Sequence, residues 1–281
     1  MASFTEEEVK AIKALRGRVK PWAEETQNKY ALDYLDDATL WRFALAHKFK
    51  LDAAEHMFKT STTYKQEWDL DKLCGDFAGE GNSDGLSSEE RNQVRIGKQV
   101  FYAGIVDAKT SKGGPISAEK LGKIDFAGLS HNEEAKKACL KAYAVHTENL
   151  WRLVRETGDK TKAISIVDLD GIGMSAARYV NLIRDVTALS IPNYPEVVEK
   201  VVIIRAPTVF YIMWKVIKPF LPERTKAKVS ILGRNFEEEL SELVEGGIQA
   251  LPTFLGGNAD DSSVSPARKV EEVMTSAELD V

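Results

Sequence analysis

"AISIVDLDGIGMSAARYVNLIRDVTAL", residues 163–189, changes rhythm in its middle. Its first seven residues are almost continuously apolar, as in a strand buried on both faces. After a glycine-containing turn, "SAARYVNLIRDVTAL" (175–189) reads as a helix. The alternation continues with "KVVIIRA" (200–206), an apolar segment over 209–221, the strand "KVSIL" (228–232) and the helix "NFEEELSELV" (235–244) capped by Asn235. Upstream, "QVFYAGIV" (99–106) reads as a strand, and a long helix opens at Ser130 with a capping box to Glu133 and runs to about Thr157. Short apolar strands alternating with helices predict an α/β domain with a mainly parallel sheet and flanking helices.

Residues 5–68 have a helical pattern instead, with Asp37 and Asp52 as expected N-caps. The expected organisation is a small helical N-terminal domain over 1–74, a Gly/Ser/Asp-rich linker over 75–93, the α/β domain over 94–257 and a polar C-terminal tail over 258–281.

The chain has 281 residues, 43% hydrophobic and 29% charged, with a net charge of −5. That balance suits an ordinary globular protein and argues against nucleic-acid binding. Cys74 and Cys139 fit no ligand spacing and read as reduced structural thiols of a cytosolic protein. No stretch approaches the ~20 apolar residues needed to span a bilayer. A cytoplasmic monomer is expected, with peripheral and transient membrane contact.

There is no GxSxG elbow, HExxH motif, P-loop or calcium loop, and His47, His56, His131 and His146 share no ligand spacing. Neither catalysis nor a metal or cofactor is expected. One nucleotide-like signal exists: Gly171-x-Gly173-x-x-Ala176 follows a strand and precedes a helix, with Arg205 ending the next strand where a 2′-phosphate would be read. An NADP-dependent oxidoreductase is therefore the alternative of a different class. Asp168 and Asp170 oppose it, because they would repel a pyrophosphate, and a tight strand-to-helix turn explains the same residues.

In "VFYIMWKVIKPFL" (209–221), ten of thirteen residues are apolar or aromatic. Helical spacing puts Phe210, Met213, Trp214 and Ile217 on one face with Tyr211 on its flank. This is either a core helix or a helix that meets a lipid interface, where the stems of Lys215 and Lys218 snorkel. The polar corner Glu223, Arg224, Thr225, Lys226 and Lys228 follows, and its Thr225 and Lys228 are spaced to reach one phosphate together.

Five motifs, "LWRFALAHKFKLDAAEHMF" (40–58), "ISIVDLDGI" (164–172), "YPEVVEKVVIIRAP" (194–207), "VIKPFLPERTKAKVSIL" (216–232) and "LPTFLGG" (251–257), occur in the order found in CRAL-TRIO lipid-binding proteins. The chain especially resembles the phosphatidylinositol/phosphatidylcholine transfer proteins of the yeast secretory-pathway type. The resemblance implies a soluble, non-catalytic carrier that exchanges phosphatidylinositol, against phosphatidylcholine or another hydrophobic ligand, between membranes such as those of the Golgi and endosomes. It further implies a role in membrane trafficking and phosphoinositide signalling. By resemblance, Glu196, Thr225 and Lys228 bind the inositol head group, with His47 and Lys48 as a further basic pair in which His47 replaces an arginine. Ser165 and Phe101 stand at the second-ligand site, where the family carries further hydroxyls. Phe210, Tyr211, Met213, Trp214 and Ile217 form the mobile gate helix. A lipid sensor that presents its ligand without exchanging it stays open as well.

Overall fold

The computed structural model describes residues 4–78, 86–262, 264 and 268–278. Strands β1 (Ala103–Lys109), β2 (Pro115–Glu119), β3 (Ala163–Asp168), β4 (Val198–Ile204) and β5 (Val229–Ile231) form one sheet in that order. The β1–β2 pair is antiparallel and the other pairs are parallel, so the sheet is mainly parallel as the apolar runs predict. Strand β2 is the one that the sequence reading misses. Its five residues "PISAE" carry no long apolar run, and the glycines Gly113 and Gly114 just before it hide the hairpin inside what reads as loop.

Residues paired across strands share a face of the sheet. On one face Ile116, Ile164, Ile166, Val202 and Ile204 pack beneath Leu240 of α12 (Glu237–Leu243) and beneath Leu251 and Leu255. On the other lie Ser117 and Glu119 of β2, Ser165 and Val167 of β3, and Val201 and Ile203 of β4. This second face is covered by α10 (Thr208–Ile217), whose Phe210, Met213 and Ile217 pack on Val167 and Ile203. Helix α8 (Glu133–Glu156) lies against β1 and β2, and α9 (Val180–Ser190) packs between α8 and α10.

The N-terminal region is helical: α1 (Glu6–Thr26), α2 (Lys29–Asp33), α3 (Asp37–Ala46) and α4 (Leu51–Glu67). Asp36, not Asp37, caps α3 by accepting from the Thr39 amide. Asp52 lies in the first turn of α4, which has no side-chain cap, and pairs with Arg18 instead. The apolar faces of these helices do not close on themselves. Leu15, Phe43 and Phe58 continue into Leu150 and Trp151 of α8 as one core.

A buried ion pair lies inside that joint. Lys65 of α4 bonds Glu148 of α8, and both side chains are almost wholly enclosed. The ammonium stands over the Tyr194 ring at 3.8 Å, and Tyr34 and Trp151 complete an aromatic cage. Burial pushes Lys65 down to about 8, and Glu148 pulls against that shift to keep the charge.

Several boundaries differ from the sequence expectation. The expected linker is helical at both ends: α5 (Leu70–Ala78) and α6 (Ser88–Val100) occupy 75–78 and 88–93, while 79–85 lie outside the described residues. Ser87 caps α6 through a capping box with Glu90, so the Ser-rich composition marks a helix start. Gln99 and Val100 finish α6, and Phe101 is its C-cap. Ser130 belongs to α7 (Phe126–His131), and Asn132 caps α8 by accepting from the Ala135 amide. Residues Met174–Tyr179 form a 3-10 turn before α9. Asn235 does not cap α12; its N-cap is Phe236, without a side-chain bond.

The expected polar tail contains α13 (Val270–Glu278). Val270 and Val273 are buried with Ile96, Leu129 and Ala138 in a core shared with α6, α7 and α8. Gly128 is required there, since a Cβ would come within 2.6 Å of the Val270 side chain. Among the described residues, no helix is long and apolar enough to cross a membrane.

Replacing one partner of the buried pair, as in Lys65→Met, leaves the buried Glu148 carboxylate with only the partly exposed Arg152, 3.3 Å away, as a cation among the described residues. We expect a loss of roughly 3–5 kcal/mol in denaturant unfolding. Much of it should return in Lys65→Met/Glu148→Leu, and equal destabilisation by the single and double variants would refute the pair's role.

Candidate functional site

Glu196 sits between Pro195 and the start of β4, in the left-handed backbone region at φ 54°. A non-glycine residue persists there only when its surroundings hold it. They do so from both ends. Arg42, fully buried on α3, donates to the Glu196 carbonyl at 2.9 Å. Arg42 also donates to the carbonyls of Asp159 and Thr161, just before β3. The Glu196 carboxylate receives three cations: Lys162, Lys228 at 3.0 Å and Arg224 at 3.0 Å.

Burial works against charge on this carboxylate, but the Lys162 and Lys228 ammoniums outweigh it and hold Glu196 at about 2. Lys162 is the mirror case. Burial depresses its pKa while Glu196 supports the charge. Three cations face one carboxylate, so the corner keeps an excess of two positive charges. An anion with several oxygens is the chemical complement of such a site.

Thr225 lies on the short helix α11 (Glu223–Lys226), half-buried, and its carbonyl accepts from the Lys228 amide at 3.1 Å. The structure thus brings Glu196, Lys228 and the Thr225 turn to one place. A cavity of about 240 Å³ opens beside Lys228, with Lys112, Glu199 and Lys200 among its walls. A larger pocket of about 630 Å³ lies between α5, α6 and α8, away from this corner, so size does not mark the site.

His47 and Lys48 are not part of the cluster. His47 is the C-cap of α3, half-buried, and burial together with the neighbouring His56 lowers its pKa. Lys48 is exposed in the left-handed region at φ 51°. Among the described residues, neither shares a hydrogen bond or ion pair with Glu196, Thr225 or Lys228. The sequence reading misses Lys162 and Arg42. The first is a lone lysine at a strand start, and the second sits on an apolar helix face. A charged residue where periodicity demands an apolar one is the available signal for Arg42.

The second-ligand residues separate. Ser165 is buried on the α10 side of β3, in register with Ser117. Phe101 is not on the first strand, and its ring meets Tyr143 and His146 edge-on, each at 5.9 Å.

Helix α10 packs against the sheet. The face expected to meet lipid turns inward, with Phe210, Met213 and Ile217 buried and Trp214 half-buried, stacked on Phe210 at 6.2 Å. Outward point Tyr211, Ile212 and Val216, which are 46%, 60% and 49% exposed. Lys215 and Lys218 are exposed beside them.

The dinucleotide alternative loses its anion reader. Arg205 makes a two-pronged contact with Asp168, at 2.9 and 2.7 Å, and a third bond to the Phe254 carbonyl. Gly171, at φ 95°, makes a turn into the 3-10 segment, so no helix N-terminus faces the would-be pyrophosphate.

Comparison with known proteins agrees with this architecture. A family model described as the CRAL/TRIO domain matches residues 102–257. The Sec14 cytosolic factor of Schizosaccharomyces pombe is 30% identical over 242 residues, covering 83% of this chain and 79% of that protein. The phosphatidylinositol/phosphatidylcholine transfer protein SFH9 of Arabidopsis thaliana is 25% identical over 235 residues, covering 79% of this chain and 37% of that protein. In fold, the crystal structure of Sfh5 matches with a TM-score of 0.61 at 13% identity, over 100% of both chains. With more than half of its length in the matched domain and Sec14-like relatives along most of the rest, the chain belongs to the CRAL/TRIO family of lipid-binding proteins.

Proposed function

We propose that the protein carries phosphatidylinositol between membranes without catalysing a reaction. The observation that carries this reading is the excess positive charge around Glu196, beside a sheet face whose helical cover presents an apolar outer surface. The phosphate is taken by Lys228 and the Thr225 hydroxyl, while the ionised Glu196 accepts from inositol hydroxyls. His47 and Lys48 are left out of this clamp.

The energetics of carriage favour a closing helix. Two acyl chains bury about thirty methylenes, on the order of 20 kcal/mol if fully removed from water. A carrier in water must enclose them and open only at a bilayer. Helix α10 has the two faces this requires. Its inner face seals the apolar sheet, and Tyr211, Ile212 and Val216 with two flanking lysines form the outer face that meets the membrane. The relative named as a phosphatidylinositol/phosphatidylcholine transfer protein supports the ligand class.

The clamp is tested by vesicle-to-vesicle transfer of labelled phosphatidylinositol. Lys228→Ala and Glu196→Gln should each lose about ten- to a hundredfold, the scale of one charge-assisted contact. Unchanged transfer in both would remove the head-group assignment. Binding without transfer in the wild type would make the protein a presenter rather than a carrier.

Glu196 also predicts a pH signature. Its carboxyl stays ionised to lower pH in the folded chain than in the unfolded one, so its stabilisation is complete above about pH 4.5 and is lost as pH falls towards 2. The melting-temperature gap between wild type and Glu196→Gln should therefore narrow across that window. A gap that stays constant would contradict the ion-paired state.

For the membrane face, Ile212→Glu should leave the melting temperature unchanged while weakening binding to anionic vesicles and slowing transfer. Met213→Glu, with its carboxylate forced inward, should unfold the protein. Full transfer by Ile212→Glu would show that α10 does not meet lipid.

A further inference from the structure

A second polar group of quite different character sits on the α10 side of the sheet, next to α8. Ser117 and Glu119 project from this face of β2, and His146 reaches it from α8. All three are enclosed: Ser117 is fully buried, and the His146 and Glu119 side chains are 8% and 16% exposed. Ser117 Oγ and His146 Nε2 are buried without a hydrogen-bond partner. His146 Nε2 lies 4.0 Å from Glu119 Oε1. That is too far for a direct bond, yet one oxygen about 2.8 Å from each atom would bridge them. The rings of Phe101 and Tyr143 close one side.

Among the described residues no lysine or arginine is paired with this group. Burial alone pushes Glu119 up to about 7 and His146 down to about 4, with no contribution from any cation. The other titratable neighbour is Tyr143, whose phenol burial also keeps protonated, with Glu119 adding to the shift. A phosphate in this compartment would be buried without a counter-charge, at great cost. A neutral hydroxyl both donates and accepts, and would satisfy the orphaned atoms.

We propose that Ser117, Glu119 and His146 form a second-ligand subsite that selects an uncharged lipid with a single hydroxyl at the head of an apolar body, and rejects a phospholipid head group. The hydroxyl bridges His146 Nε2 and Glu119 Oε1, with Ser117 Oγ on the same face as a further partner. Ser165, in register with Ser117, lies next to it on the same face of the sheet. This inference rests on the lipid-carrier reading and narrows its second ligand. A sterol and a diacylglycerol share the required chemistry.

The test uses phosphatidylcholine vesicles carrying dehydroergosterol, dioleoylglycerol or phosphatidylinositol. The protein is re-isolated, and bound lipid is identified by native mass spectrometry and titrated. We expect retention of one of the two neutral lipids in preference to phosphatidylcholine, which also names the source. Ser117→Ala and His146→Phe should each weaken that retention about tenfold, while the isosteric Glu119→Gln keeps it. Phosphatidylinositol, held at the Glu196 corner, should be retained by all of them. If His146→Phe fails to fold by circular dichroism, Ser117→Ala, which deletes one oxygen, decides. Phosphatidylcholine retained over both neutral lipids, or neutral-lipid retention indifferent to the folded variants, overturns the subsite. Phosphatidylinositol bound without any neutral lipid overturns only this inference, whereas no lipid bound at all sinks the carrier reading with it.

Discussion

A single buried guanidinium organises the molecule. Among the described residues Arg42 has no carboxylate partner, and burial draws its pKa down to about 10 against the pull of Asp159, Asp36 and Glu196. It is held by backbone carbonyls, two just before β3 and one just before β4. A buried charge without such acceptors would be strongly unfavourable, so the helix that carries Arg42 and the two strand entries must come together in one arrangement. That arrangement fixes Glu196 in its strained backbone conformation and aims its carboxylate at Lys162, Lys228 and Arg224. The Glu196 corner is therefore set from the far side, by the N-terminal helices, although Glu196, Lys162, Lys228 and Arg224 all belong to the α/β region.

Two polar environments then coexist on one scaffold, and their difference follows from position. The Glu196 corner lies at the strand ends, where water reaches Lys228 and Arg224 and partial solvation tolerates several charges close together. The Ser117, Glu119 and His146 group lies under helices, and there burial without a paired cation raises the Glu119 pKa and lowers that of His146, each towards its uncharged form. The apolar surface between them accounts for the fold's tolerance of both. Val167, Val201 and Ile203 separate the polar sets along the sheet, so neither has to satisfy the other.

The sequence reveals what local patterning encodes. Strands β3, β4 and β5 are short apolar runs between turn signals, and α10 declares itself by the spacing of Phe210, Met213 and Ile217. Thr225 and Lys228 are legible because both lie within one short turn. Lys162 is not, because nothing in "TKAIS" says that a glutamate thirty-four residues later will fold back beside it. Strand β2 escapes because one of its faces carries Ser117 and Glu119, polar where a buried strand would be expected to be apolar. The inward turn of α10 is undecidable from periodicity, which identifies a face without saying what covers it. Helix α13 hides for a related reason: Val270 and Val273, with Met274 beside them, anchor it among charged residues that give the composition of a loose tail.

That last helix bears on how the protein comes into being. The core of α6, α7 and α8, which backs Phe101, lacks one wall until Val270 and Val273 arrive. Chain growth is vectorial and slow compared with the packing of helices. The sheet and its polar corner can thus form while the ribosome is still extending the chain, but the compartment behind Phe101 stays open to one side until the closing segment emerges.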